Sequence, residues 1–514
     1  MVFRSKLEEK YGTSSKADVP CSYFEEDLNK LYEPWLNNPD ALPLHDEIDA
    51  ESLRWILEQA LIAAKQIQKR QRELAGVPDS ISDTSREVLY LLHKHYSYHD
   101  KREDLCVTYP AEVVGLVCLL AIMSGIRSIT GLCDYWILNH PILRVLIPNM
   151  PHPKHCISVE TVRTVLTMLP PEEMTEMFSA YFSVLNKEEI PSALQRNFRK
   201  TVAFDGQEIK ASFRKGEYSR RKKGGISVSA YDCDSKRVIG FEVTKAKGNE
   251  HNAIASMLPS LKVYQDAIFS ADAINTKQNV FEVFNELGFE YMAPVKANRK
   301  VLFEAIKLAF ERALKAETLS CSSTDVQSGR IQKRTVSIIP SPVLPGSDDW
   351  LSRTKTLIRY ETSTQRVLKT NTAEAQKPVC QVKYYVCSLP CTQDSLEQID
   401  HSIKTYWSIE VHHNTLDTVF MQDRLNIRDE HHLYARVGYN KMVYNILSYH
   451  REKVKKLKGK TVTFTSMVNW CKYPQAALKY VANFFAAGAP ESNIQPKSLP
   501  LAVKGIQSYP DCDE

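Results

Sequence analysis

Two aspartates of the sequence each follow an apolar, strand-like run. Asp205 comes directly after the run at 202–204, and Asp272 follows the run at 267–271. Because the carboxyl ends of neighbouring strands in an open sheet meet in one crevice, we expect the two carboxylates to converge. Mg²⁺ prefers oxygen ligands and takes one or two carboxylates, while waters and substrate phosphates complete its shell. The pair therefore indicates metal-dependent chemistry on a phosphodiester.

A third acidic ligand is expected if two metal ions act together. Two ions about 3.5–4 Å apart can activate an attacking oxygen and stabilise a leaving oxygen. Glu410 is the candidate, on a helix predicted at 395–420. Asp417 lies two turns further along the same face of that helix and is the alternative third acid. Each aspartate taken alone is also typical of a turn or helix cap, so the prediction depends on the combination.

A basic stretch at 213–225 lies between the first two predicted strands. Its basic residues alternate with aromatic ones, and a cluster of this kind beside two aspartates suits the phosphate backbone of DNA. A solvated hairpin loop is the alternative interpretation of the same charges. The DNA-binding residues predicted in this stretch are Arg214, Lys215, Arg220, Arg221, Lys222 and Lys223.

The elements that must position these side chains change in character near residue 200. The sequence before about 195 has the apolar spacing of helices. Strands joined by short turns and then by helices predict one mixed sheet with helices packed against it. A strand-like region at 318–395 interrupts this pattern before the helix that carries Glu410. The five predicted strands lie near 201–205, 226–231, 238–244, 267–271 and 290–295.

Length and composition fit an intracellular globular protein of several domains. The 514 residues suggest two or three domains, and 43% hydrophobic with 25% charged residues is typical of globular proteins. The first ten residues lack an apolar signal segment, and the apolar stretch 111–123 is too short to span a bilayer. The predicted parts are a helical, partly disordered extension at 1–104, a helical domain at 105–195, a catalytic domain at 196–450, and C-terminal helices with a frayed tail at 451–514.

Seven segments, in chain order, resemble motifs of the bacterial insertion-sequence DDE transposases of the H-repeat-associated type. The resemblance covers roughly residues 105–450, and seven motifs in this order are a specific signal. Lys247 and Lys296 lie within them and join the predicted DNA-binding residues. The segments are YPAEVVGLVCLLAIMSGIRSI, FDGQEIKAS, GFEVTKAKGNEHNAIASMLPSL, SADAINTKQ, YMAPVKANRKVL, SGRIQKRTV and YWSIEVHHNTLD.

The resemblance implies an α/β protein with an RNase H-like catalytic domain. Its mixed five-stranded sheet would be flanked by helices, with an inserted β-rich region and a helical domain before it. The catalytic triad implied is Asp205, Asp272 and Glu410, which would bind two Mg²⁺ or Mn²⁺ ions and cleave and transfer DNA strands at element ends. The implied partner is double-stranded DNA, bound by a homodimer. The protein would be cytoplasmic and DNA-associated in a bacterium, or nuclear in a eukaryote.

The sequence departs from the family pattern around the third acid. Tyr406 stands where the family has histidine, and Val411 stands where it has asparagine. In the first motif, Gln207 replaces a family lysine. Two alternatives therefore stay open: a DNA-binding relative without catalytic activity, and an RNase H-like nuclease without strand transfer. His412 and His413 suggest zinc, but phosphoryl chemistry favours oxygen ligands.

Overall fold

The computed structural model describes most of the chain from residue 79 to residue 488. Within this part the chain forms two compact units. A helical unit comprises described residues of 1–177 and 429–514, and an α/β unit comprises those of 178–428. The described residues are 79–102, 107–147, 150–151, 157–182, 198–212, 224–244, 249–272, 277–327, 330–342, 344, 351–366 and 378–488.

Helices come first along the chain, then strands with helices between them, then helices again. The helices are α1 (Asp79–His99), α2 (Ala111–Met123), α3 (Ile129–Leu146), α4 (Val159–Met168), α5 (Pro171–Met177), α6 (Glu250–Met257), α7 (Gln278–Leu287), α8 (Lys300–Arg312), α9 (Gln393–Tyr406), α10 (Ser408–Thr418), α11 (Glu430–Lys458), α12 (Phe464–Trp470) and α13 (Pro474–Gly488). The strands are β1 (Thr201–Glu208), β2 (Ile226–Asp232), β3 (Arg237–Thr244), β4 (Ile268–Ala271), β5 (Glu290–Val295), β6 (Leu319–Gln327), β7 (Arg330–Pro340), β8 (Thr356–Arg366) and β9 (Val379–Cys387).

Two helices form the centre of the helical unit. All residues of α2 are buried, and apart from Glu112 this helix is apolar on every face. Helix α11 is buried from His432 to His450 and packs against α2, α4 and α5 and the two helices that follow it. In the described part of the chain, no helix combines the length and apolarity that crossing a membrane requires.

The two units divide the chain differently from the predicted domains, whose bounds stay a prediction. The predicted catalytic domain at 196–450 included the first two-thirds of α11, whereas the observed α/β unit ends at residue 428. The reason is the packing of α11, whose apolar residues are buried among the helices before and after it in its own unit. The predicted extension at 1–104 lies outside the described residues up to residue 78, as does the C-terminal tail from residue 489.

A single sheet organises the α/β unit. Its order is β3-β2-β1-β4-β5-β9-β8-β7-β6. Strands β1, β4 and β5 are parallel, and β1, β2 and β3 pair antiparallel. Helices α6, α7 and α8 cover one face with a core that includes Phe269 and Phe284, and α9 covers the other with Ile399 and Ile403. The predicted RNase H-like α/β fold is thereby confirmed, with all five predicted strands present.

The inserted region is part of the same sheet. Strands β6 to β9 pair antiparallel in sequence, and β9 pairs antiparallel with β5 through Met292–Val295. Five strands therefore become nine. Because β4 pairs with one edge of β5 only, β9 can pair with the other edge, and the insertion extends the sheet instead of folding as a separate body.

The helix predicted at 395–420 is two helices. Helix α9 ends at Tyr406 and α10 begins at Ser408, with Trp407 between them. Trp407 forms a turn with right-handed helical angles, φ −61° and ψ −13°, in which ψ is less negative than in a regular α-helix. The expectation of one continuous helix was wrong, because the chain turns at Trp407 between α9, which packs on the sheet core, and α10, which carries Glu410.

Candidate active site

A cavity of about 230 Å³ lies on the α9 face of the sheet in the α/β unit. Strands β1, β4, β5 and β9 provide its floor, and the junction of α9 with α10 covers it. Asp205, Asp272 and Glu410 all line this cavity. The three acids come from two strands and a helix that are far apart in the sequence, so only the folded sheet brings them together.

Strand register explains why the two aspartates meet. The parallel ladder between β1 and β4 ends at the pair Phe204 and Ala271. Asp205 and Asp272 each follow the last residue of that ladder. The alternation of a strand then directs both side chains to the face opposite Phe204, which is buried in the core under α6 to α8.

The sequence predicted that the strand ends before Asp205, but in the structure the strand continues past it. Strand β1 continues to Glu208 because its antiparallel pairing with β2 continues, and Asp205 lies opposite Ser229. Asp205 therefore lies at a point of β1 where the pairing with β2 continues but the pairing with β4 has ended. Asp272 directly follows the last residue of β4, as predicted.

Each aspartate has a nitrogen partner in the cavity. Asp205 Oδ1 accepts a hydrogen bond of 2.9 Å from the backbone N–H of Gly206, and its Oδ2 lies 3.3 Å from Nδ1 of His413. Asp272 Oδ1 accepts a hydrogen bond of 2.9 Å from Nζ of Lys296. Each carboxylate therefore has a nitrogen partner at 2.9–3.3 Å.

Glu410 lies in the first turn of α10. Loss of hydration raises the pKa of Glu410, and the negative charge of Asp205 raises it further. Lys383 and His413 lower the pKa, and Asp272 raises it. The pKa shift therefore reflects first the burial of Glu410 and then the charge of the acids that share its cavity.

Asp417, the alternative third acid, does not line the cavity. Its Oδ1 accepts a hydrogen bond of 2.7 Å from Nε2 of Gln207. The same Nε2 donates 3.0 Å to the carbonyl oxygen of His413, and Oε1 of Gln207 accepts 2.9 Å from Nε2 of Gln422. Asp417 therefore belongs to a neighbouring polar cluster centred on Gln207.

Two residues of the insertion also line the cavity and were missed in the sequence. Lys383 and Tyr385 lie on β9, on the same face as Cys387 in the core under α9. The Nζ of Lys383 lies 5.0 Å from the ring centroid of Trp407. The alternation of 383, 385 and 387 was readable, but nothing in the sequence showed that β9 would pair with β5.

Tyr406 occupies the cavity at the position where the resembling family has histidine. Burial raises its pKa well above the usual range, and the charges of Asp205 and Asp272 add to the shift. The phenol is therefore neutral near pH 7 and can donate a hydrogen bond, but it cannot carry the positive charge that a histidine could.

Of the predicted DNA-binding residues, Lys296 is described by the structure. It lies at the cavity with its side chain largely exposed. The others lie outside the described residues: Arg214, Lys215, Arg220, Arg221, Lys222, Lys223 and Lys247.

The donor chemistry of the cavity fits a hard divalent cation. Its acids offer carboxylate oxygens, and Mg²⁺ or Mn²⁺ needs one or two of these per ion. Over the part of the chain that the structure describes, no three His, Cys, Asp or Glu side chains are arranged to hold one ion among themselves. Each ion would therefore need further oxygens from water or phosphate. His412 is buried and stacks on Tyr231, with 5.0 Å between ring centroids.

Comparison with known proteins gives the family. The model of the family described as Transposase DDE domain matches residues 196–446. This stretch is similar to the transposase DDE domain family. The resemblance to H-repeat-associated DDE transposases is confirmed by that match and by curated relatives of the same type.

Two relatives come from Escherichia coli. "Putative transposase YncI" of strain O157:H7 is 28% identical over 250 residues, which cover 48% of this chain and 61% of the relative. "H repeat-associated putative transposase YbfD" of strain K12 is 32% identical over 110 residues, which cover 21% of this chain and 42% of the relative. The chain thus spans about three-fifths of the length of the first relative and two-fifths of the other.

A solved structure is also similar, though weakly. It is the cryo-EM structure of a piggyBac transposase synaptic complex with hairpin DNA. The match covers 80% of this chain and 84% of that chain at 10% identity, with a TM-score of 0.34. A similarity of this size says nothing further about the site.

Proposed function

We propose that this protein is a DDE transposase that cleaves DNA at the ends of a mobile element and joins the freed 3′-hydroxyl to target DNA. One observation carries the proposal: Asp205, Asp272 and Glu410 line one cavity. The first two are fixed by paired strands and the third by a helix packed on β1. Carboxylates on such rigid elements are suited to hold metal ions at set positions.

Asp205, Asp272 and Glu410 would hold two Mg²⁺ or Mn²⁺ ions. When bound, such ions supply the charge that activates an attacking oxygen and stabilises a leaving oxygen at a phosphodiester. The chain itself brings three carboxylates to one cavity, and the repulsion between their negative charges favours the binding of a cation there. The raised pKa of Glu410 beside Asp205 is consistent with that repulsion.

Two lysines at the cavity would contact the DNA backbone. Lys296 is bound to Asp272 but is largely exposed, so its ammonium group can transfer from the carboxylate to a phosphate oxygen. Lys383 lies at the same cavity beside Trp407. Ammonium groups act on phosphates as mobile point charges, so these two would hold the strand without reading its sequence.

A DNA-binding relative without catalytic activity is the second candidate. The observation that favours it is Tyr406, a neutral phenol at the cavity in place of the family histidine. A nuclease without strand transfer would use the same three acids, so only its products distinguish it from a transposase.

The test uses the purified full-length protein and a plasmid carrying the DNA that flanks its gene on both sides. Cleavage at defined positions with Mg²⁺, followed by joining to a second plasmid, would establish the transposase. Cleavage without joining would identify a nuclease, and binding without cleavage would identify the inactive relative. Gel filtration of the protein with and without this DNA would test the expected homodimer.

A further inference from the structure

Two buried glutamines connect the sheet to α9 and α10 separately. Gln398 of α9 accepts 2.7 Å from the backbone N–H of Arg199 and donates 3.1 Å to the carbonyl oxygen of the same residue. Gln207 of β1 makes the hydrogen bonds to α10 described above. Gln398 thus ties α9 to Arg199, just before β1, and Gln207 ties α10 to β1 itself. The hydroxyl of Thr201, the first residue of β1, also donates a hydrogen bond of 2.9 Å to Ser402 of α9.

Gln207 is well suited to fix a helix. Its side chain is buried, and its amide makes three hydrogen bonds of 2.7–3.0 Å, two as donor and one as acceptor. Two of these reach α10, at the carbonyl of His413 and the carboxylate of Asp417. A primary amide can donate twice and accept at once, which neither lysine nor glutamate can do.

The break at Trp407 makes this connection important. Because α9 ends at Tyr406, the position of α10 does not follow from the packing of α9. Helix α10 carries both Glu410 and His413, whose ring lies 3.3 Å from Asp205. The same strand, β1, carries Asp205 and Gln207 two residues apart on one face.

We propose that Gln207 is a positioning residue that sets the separation of Glu410 from Asp205 by binding α10 to β1. The inference rests on the proposed function, because it concerns the same carboxylates. It also assigns a role to Asp417, which accepts a hydrogen bond from Gln207 and does not bind metal. Mutation of residues that orient metal ligands typically costs about 10–100-fold in metal affinity.

Hydrogen–deuterium exchange tests the positioning without metal. Full-length Gln207→Ala should exchange the amides of α10 at least about 10-fold faster than wild type, because the variant lacks two hydrogen bonds to that helix, while α9 stays protected. Gln398→Ala is the matched control, since it removes a buried glutamine from the same face and should affect α9 instead. Unchanged exchange in α10 of Gln207→Ala would overturn the inference.

Calorimetric titration with Mn²⁺ alone tests the consequence. We expect Gln207→Ala to bind Mn²⁺ about 10-fold more weakly or worse, and Gln398→Ala to bind as wild type does. An equal loss in both variants would make Gln207 merely structural and overturn the proposal. Wild type that binds no Mn²⁺, or binds equally after Asp205→Asn, would instead contradict the proposed function, and exchange in α10 would still decide whether Gln207 holds the helix.

Gln207→Glu serves if the alanine variant does not fold. It keeps the size of the side chain but removes both donors and places a carboxylate against Asp417. Combining it with Asp417→Asn restores one hydrogen bond with donor and acceptor exchanged, so the double variant should recover part of the lost Mn²⁺ affinity. No recovery, with both variants folded, would count against the pairing of these two residues as the cause.

Discussion

Glu410 and Asp417 lie two turns apart on α10, and their surroundings differ. Loss of hydration raises the pKa of both acids. For Glu410 the next cause is the charge of Asp205, which raises the pKa again, whereas for Asp417 it is the hydrogen bond from Gln207, which lowers it. The neutral amide of Gln207 donates a hydrogen bond to Asp417, while Glu410 shares a cavity with Asp205 and Asp272. Helical spacing made both residues candidates for the third metal ligand, and their different contacts distinguish them.

The largest expected effect concerns the acids on the strands. Asp205→Asn or Asp272→Asn should reduce Mg²⁺-dependent DNA cleavage at least ~100-fold, because each change removes a metal ligand and several kcal/mol of transition-state stabilisation. DNA binding should change little, since contacts to phosphates are separate from the ligands. Cleavage rates and gel-shift affinities measure the two effects, and undiminished cleavage in either variant would exclude the two-metal site.

The direct test of this comparison replaces each of the two acids of α10 by its amide, in separate variants. Glu410→Gln should behave like the aspartate variants. Asp417→Asn should keep cleavage within about 10-fold of wild type, because an amide oxygen can still accept the hydrogen bond from Gln207. Cleavage assays on both variants under identical conditions decide the ranking. The reverse order would move the third ligand to Asp417.

An intermediate effect is expected at the basic stretch 213–225. Replacing Arg220, Arg221, Lys222 and Lys223 with alanine should weaken DNA binding for all sequences. The slope of log affinity against log salt should become shallower by about 0.9 for each phosphate of duplex DNA that the variant no longer neutralises. Binding isotherms at several salt concentrations give the slope, and an unchanged slope would make this stretch a solvated loop without a role in binding.

The smallest expected effect is a difference in thermal stability between the Glu410 and Asp417 variants. A raised pKa means that the folded protein holds the proton more tightly than the unfolded chain, so ionised Glu410 destabilises the fold once pH exceeds the ordinary pKa of glutamate. Glu410→Gln should therefore raise the Tm of the metal-free protein at pH 7 by a few degrees at most, and leave it unchanged near about pH 3. Asp417→Asn should raise Tm less, because the hydrogen bond from Gln207 stabilises the charged form of Asp417. Calorimetric scans at both pH values measure the difference.

Much of this arrangement was predictable, because local pattern determined it. The apolar runs located the strands, and the order of strands and helices predicted that Asp205 and Asp272 would meet. The break at Trp407 was not predictable, since the sequence on either side has helical spacing. The role of Gln207 also could not be read, because its partners on α10 are set by how that helix packs on β1.

The insertion shows the same limit on a larger scale. Its strand-like texture at 318–395 was visible, but pairing with β5 is a contact between distant segments that no local pattern specifies. Lys383 and Tyr385 were therefore missed as cavity residues. Their alternation with Cys387 becomes informative only once β9 is known to join the sheet.

The pairing of β9 with β5 has a consequence for protein engineering. A fragment trimmed to the five strands β1 to β5 would expose the backbone N–H and C=O groups of Met292–Val295 along an open edge. Apolar strands with an open edge pair with other copies and aggregate. The insertion therefore covers this edge as well as completing the cavity, and we expect a minimal fragment to stay soluble only if it retains the insertion or caps β5 by other means.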